Sequence, residues 1–233
     1  MRTDRARLAS DLLGGQVKTA ADGRVEWGQA GCVGYLALSS MGGFSEGALT
    51  AEIDSAHAVM NRALADLADT DALIVDVALN PGGYDAVALA FAAHFAAEPT
   101  FVLTKHAHGA EAETKQAFRV LPAAPRYAKP VYVLTSDVTV SAAEVFILAM
   151  RAFPQVTHAG APTRGSLSDQ LARPLPNGWT LTLSNEVYLD RNGVAWEGRG
   201  IPPDVPLPMF AAGLDGHAAA IRALVDRLSP ACP

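Results

Sequence analysis

Residues 71–79 read DALIVDVAL, an almost unbroken apolar run closed by NPGG at 80–83. A run this short and this apolar, stopped by turn residues, reads as a strand buried on both faces. Such a strand requires helices above and below its sheet, and the chain supplies them in alternation. YDAVALAFAAHFA (84–96) is helical, TFVLTK (100–105) a strand, KPVYVLTS (129–136) a strand, AAEVFILAMRAF (142–153) a helix and QVTHAGA (155–161) a short strand. This order predicts an α/β fold with a mostly parallel sheet flanked by helices. Upstream, residues 4–13 form a short helix ended by Gly14-Gly15, and ADGR (21–24) turns a small N-terminal β-hairpin. GCVGYLALSS (31–40) is a buried strand, and residues 47–70 are a long amphipathic helix. WTLTLSNEVYLD (179–190) alternates as one strand before the turn RNG, and residues 214–228 are a closing helix. The expected division is a helix-and-hairpin flank over 1–30 and a core domain over 31–233.

Half of the 233 residues are hydrophobic and 18% are charged, enough to bury a large core. The net charge is -6 and no basic cluster is present, which argues against nucleic acid and anionic membranes as partners. No apolar run reaches membrane-spanning length. The opening MRTDRARLASDLLGGQV lacks the apolar core of a signal peptide, so the chain as written reads as cytoplasmic; as an excised domain it would be periplasmic or secreted. Cys32 and Cys232 give no metal spacing and no disulfide framework, and neither a metal nor a cofactor is expected. An oligomer is compatible with this composition.

In a parallel sheet the reactive groups gather at the carboxyl ends of the strands. Four segments occupy such ends: NPGG (80–83), Lys105-His106-Ala107-His108, DVTVSAAE (137–144) and APTRGSLSD (161–169). Ser141 opens a helix, where a serine can cap the helix or attack a carbonyl. The amides of Ala142 and of Gly82 or Gly83 could receive the resulting oxyanion, although NPGG is also an ordinary turn. Thr163–Asp169 reads either as a substrate-binding loop or as a polar turn, and Glu197–Asp204 (EGRGIPPD) as a surface loop. His106 and His108 follow a strand; His57, His94, His158 and His217 fall where structural histidines do.

The order of these pieces narrows the choice. LIVDVALNPGG, VYVLTSDVTVSAAE, GAPTRGSLSD, LPNGW and WEGRGIPPDV together resemble the S41 peptidases, from about residue 31 to residue 207. That family includes the C-terminal processing proteases, the tricorn core and the interphotoreceptor retinoid-binding protein repeats. The resemblance implies a ClpP/crotonase-like core, a peptide or protein substrate, and an acyl-enzyme on Ser141; no PDZ-like domain is expected, because residues 41–70 are too few for one. It places the oxyanion donors at Gly82, Gly83 and Ala142. Three departures stand out. The lysine of the family's T-x-G-K-G motif is Ser166 here, so the supporting Gln170 has no lysine to support. The histidine of the tricorn-like G-Y-x-H motif is Ala37, and the usual arginine of D-x-R-x-N-x-G-G is Ala78. A serine hydroxyl without a base is a poor nucleophile. The candidate bases are therefore His106, His108 and Lys105, with Asp169 and Glu197 orienting a base or binding a substrate amine. Two other readings stay open: a non-catalytic module on this fold binding a peptide or apolar ligand, and a crotonase-like acyl-CoA enzyme.

Overall fold

The computed structural model describes Leu13 and residues 16–110, 114–210 and 213–228. The helix expected over 4–13 lies, but for Leu13, outside the described residues. In chain order the elements are β1 (Lys18–Ala20), β2 (Val25–Ala30), β3 (Val33–Leu38), α1 (Leu49–Asp66), β4 (Ala72–Asp76) and α2 (Asp85–Ala93). They continue with β5 (Thr100–Ala107), β6 (Gln116–Val120), β7 (Val131–Thr135), α3 (Ala142–Met150) and β8 (Val156–Gly160). β9 (Gln170–Pro174), β10 (Thr180–Ser184), β11 (Glu186–Asp190), β12 (Val205–Pro206) and α4 (Leu214–Leu228) complete the chain.

The central sheet has the order β1-β2-β3-β4-β7-β8-β12. The hairpin β1–β2 joins it antiparallel, and β3, β4, β7, β8 and β12 run parallel. Every residue of β3 and β4 is buried, as their apolar sequences require. Side chains alternate between two cores. Leu36, Leu38, Leu73, Val75 and Val133 pack with α1, α2 and α3 on one face. Val33, Tyr35, Ile74 and Leu134 pack with Ile221 and Leu224 of α4 on the other. The fold is thus a mixed α/β fold with a mostly parallel, helix-covered sheet.

Two strand assignments need correction. β5 is not a parallel member of the central sheet; it lies in a separate antiparallel sheet of order β11-β5-β6. The reason is connectivity: β6 follows β5 directly, and without a crossover helix between them the pair can only be antiparallel. The long strand expected over 179–190 breaks at Asn185 into β10 and β11, which join different sheets. Cys32, in the turn between β2 and β3, is disulfide-bonded. Spacing along the chain gave no sign of it, because Cα proximity decides whether thiols can join.

Candidate active site

β4 and β7 end side by side, and the loops that leave them are stitched together by main-chain bonds. Asn80 is fully buried. Its Nδ2 donates to the Leu38 carbonyl at 2.9 Å, and its Oδ1 accepts the Gly82 N–H at 2.8 Å. Met41 N–H donates to the Gly82 carbonyl at 2.8 Å, and Tyr84 N–H donates to the Met41 carbonyl at 2.7 Å. The Gly82 amide is therefore engaged, whereas the Gly83 amide donates to no atom among the described residues. Gly82 has φ 95°. A Cβ there would stand 2.7 Å from Ser141 Cβ, so only glycine lets the turn come this close.

After β7, Thr139 Oγ1 donates to the Val77 carbonyl at 3.0 Å, and Val140 N–H to the Asn80 carbonyl at 3.2 Å. Ser136 Oγ donates to the Ala78 carbonyl. These bonds deliver Ser141 to the start of α3 with φ 61° and ψ -130°. A residue with a side chain pays about 1–3 kcal/mol to stay in such a region, and residues held there cluster at functional sites. Glu144 closes one half of the capping box that SAAE suggests by accepting the Ser141 N–H at 3.2 Å, while the Glu144 N–H donates to the Ser141 carbonyl at 2.7 Å. The Ala142 N–H donates to no atom among the described residues. No histidine, lysine or carboxylate side chain hydrogen-bonds the Ser141 hydroxyl among them either.

Glu144 is the residue whose importance the sequence concealed. It is fully buried, and its carboxylate accepts four donors. Thr163 Oγ1 donates at 2.6 Å, Gly165 N–H at 2.7 Å, Ser166 N–H at 2.8 Å and Ser141 N–H at 3.2 Å. Burial pushes its pKa up, and the four donors oppose that shift. Ser141 N–H also donates to the Ser166 carbonyl at 2.9 Å. The Thr163–Ser166 loop is thereby clamped to the first turn of α3, and Ser166 meets Ser141 through its backbone. The EGRGI segment buttresses that loop. Glu197 accepts Leu167 N–H at 2.8 Å and Ser168 N–H at 3.1 Å, Gly198 N–H donates to Gly165 O at 2.7 Å, and Ile201 N–H donates to Thr163 Oγ1 at 2.7 Å.

Three of the four strand-end segments thus converge, and the fourth arrives from the small antiparallel sheet. Lys105 Nζ lies 2.8 Å from Asp169, 3.0 Å from Glu186 and 3.9 Å from Asp85. It also donates to Tyr188 Oη at 3.2 Å. Burial lowers its pKa, but Asp169 and Glu186 outweigh that and raise it, so Lys105 stays a cation. Tyr188 in turn donates to Asp85 at 2.8 Å. His106 is half-buried on β5, and its Nδ1 is buried without a hydrogen-bond partner among the described residues. His108 is exposed and held by its N–H on the Asn185 carbonyl at 2.7 Å. Gln170 is exposed and opens β9, opposite Ser184. Ala37 is fully buried in the α4-side core. Beside it, Asp76 binds Tyr35 Oη at 2.6 Å and His217 Nε2 at 2.8 Å. Sequence reasoning missed this network, because its members lie on three separate elements.

No group of three or more metal-binding side chains is clustered among the described residues, and no helix among them is long and apolar enough to cross a membrane. Residues 32–207 match the family model described as peptidase family S41. A solved structure described as a peptidase of Parabacteroides merdae ATCC 43184 matches with a TM-score of 0.76 and 27% identity, over 95% of this chain and 69% of that one. The D1 C-terminal processing protease of photosystem II matches with a TM-score of 0.59 and 21% identity, over 80% of this chain and 46% of that one. The tricorn protease matches with a TM-score of 0.59 and 18% identity, over 96% of this chain but only 18% of its own length.

Proposed function

The chain belongs to peptidase family S41, and from that premise we propose that it is a serine-type peptidase acting on a peptide or protein substrate through an acyl-enzyme on Ser141. The observation that carries the reading is the backbone of Ser141. It is held at φ 61° at the start of α3 with the Gly82 turn packed against it, and the neighbouring amides of Ala142 and Gly83 have no acceptor among the described residues. In the proposed reaction the Ser141 oxygen attacks the scissile carbonyl carbon. The carbonyl oxygen takes the negative charge and lies between the two amides. The serine proton passes to a base and on to the departing amine; water then hydrolyses the ester. Gly82, whose amide is bound to Asn80, shapes the turn and is not a donor in this scheme.

The base in this proposal is His106, with His108 as the alternative from the same strand end. The unpartnered, buried Nδ1 of His106 supports it. Lys105 is left out, because three carboxylates hold it protonated. The test is labelling by a fluorophosphonate probe. The wild type should label, Ser141→Ala should not, and His106→Ala should label slower by several orders of magnitude, as triad deletions do elsewhere. The second reading is a binding module without turnover, favoured by the replacement of both family bases by Ser166 and Ala37. Absence of wild-type labelling from acid to alkaline pH would select it.

A further inference from the structure

β9 and β10 form a hairpin that belongs to neither larger sheet. Every residue of β10 is exposed, and of β9 only Leu171 is half-buried. The pairing sets Leu171 opposite Leu183 and Arg173 opposite Leu181. With a side-chain period of two, Leu171, Arg173, Leu175, Trp179, Leu181 and Leu183 share one face, and Thr180, Thr182 and Ser184 lie on the other. The alternation of a half-buried strand is present, yet the apolar face is uncovered. Trp179 is 73% exposed, Leu183 50%, Leu181 45% and Leu175 38%. A two-stranded hairpin is marginal alone in water, and an open apolar patch marks a docking surface.

The hairpin is continuous with the candidate site. Gln170 directly follows Asp169, the ion-pair partner of Lys105. At the hairpin's other end, Glu186 N–H donates to Ser168 Oγ at 3.0 Å. We propose that this apolar face docks an extended, apolar segment of the polypeptide substrate on its way to Ser141; the inference rests on the peptidase reading. Size decides against a second copy of the chain. Two strands of five residues at ~3.3 Å per residue and ~4.8 Å spacing present a face of roughly 16 by 10 Å. That is far below the ~800 Å² per partner of a stable association. It matches a single extended segment of about five residues, which can also add to a free edge of β9 or β10 through main-chain bonds.

The experiment uses the full chain carrying Ser141→Ala, so that peptide is not turned over. The probes are a dansyl-labelled peptide with Leu and Val at alternate positions and its counterpart with Ser and Thr there. Binding is read by dansyl anisotropy and by energy transfer from tryptophan. The apolar peptide should bind at least about tenfold tighter than the polar one, a difference of about 1.4 kcal/mol. Adding Trp179→Ser and Leu181→Ser should remove that preference with no change in far-UV circular dichroism. Adding Thr180→Ser and Thr182→Ser, on the opposite face, should not. Equal affinity for both peptides, or a preference that survives Trp179→Ser and Leu181→Ser, overturns the proposal. So does sedimentation showing a dimer that the same two substitutions dissolve. Peptide binding without wild-type fluorophosphonate labelling would sink the peptidase reading and keep the docking face; labelling without binding would do the reverse.

Discussion

Ser141 shows how a single residue can hold backbone strain inside a well-bonded frame. Its φ of 61° is strained for any residue with a Cβ, and glycine would relax it. Ser141→Gly should therefore be more stable than Ser141→Ala by about 1–2 kcal/mol in urea denaturation, since a glycine cap costs only a few tenths relative to serine. Equal stabilities would mean that the backbone is not strained. The position of Ser141 was legible in the sequence: VTVSAAE follows an apolar strand and opens an apolar helix. Its conformation was not, because a capping box looks the same at any φ. Gly82 was legible as a turn residue, but its engaged amide was not, because the acceptor is the folded Asn80 side chain.

At the scale of elements, α3 and the loop that follows β8 are joined by Glu144. A buried carboxylate accepting four donors cannot be exchanged for an amide, which turns an N–H toward donors. Glu144→Gln should cost on the order of 3 kcal/mol in chemical denaturation and abolish probe labelling. A loss below about 0.5 kcal/mol would show that the clamp is not structural. The elements themselves were readable from period and length in β3, β4, β7, β8, α1, α3 and α4. β5 misled because its apolar first half matches a parallel strand; only the missing crossover helix distinguishes it. The placement of Lys105 changed with it, since it reaches Asp169 from a second sheet, while the adjacent His106 faces the other side of β5.

Two buried histidine networks tie the whole molecule to pH. His158 donates or accepts at Thr135 Oγ1 (2.7 Å) and meets Arg151 Nη1 at 2.9 Å. Burial, then the Arg151 charge, lowers its pKa from 6.5 to about 3. The unfolded chain therefore binds a proton below pH 6.5 that the folded chain refuses until about 3. Stability present above 6.5 is lost as pH falls through that window, on the order of 5 kcal/mol. Asp76 is buried, which pushes its pKa up, but His217 and Tyr35 together hold it at about 2, below the ordinary 3.8. Its contribution, on the order of 2 kcal/mol, is present above 3.8 and disappears as pH falls through about 2. Urea midpoints measured against pH should show both limbs. His158→Gln should flatten the upper one and Asp76→Asn the lower; a profile that His158→Gln leaves unchanged would contradict the assignment.

The clamp at Glu144 leaves the side chain at 166 free to vary. It grips the amides of Gly165 and Ser166, and Ser141 is gripped by the Ser166 carbonyl. None of these bonds uses the side chain at 166, which is partly solvent-accessible. The frame around Ser141 is therefore indifferent to what residue 166 carries, and a lysine or a serine can stand there without unfolding the loop. Ser166→Lys should leave stability within about 0.5 kcal/mol of wild type and speed fluorophosphonate labelling, with a pH profile set by the new amine. The scaffold is thus specified separately from whatever chemistry the side chain at 166 would bring to it.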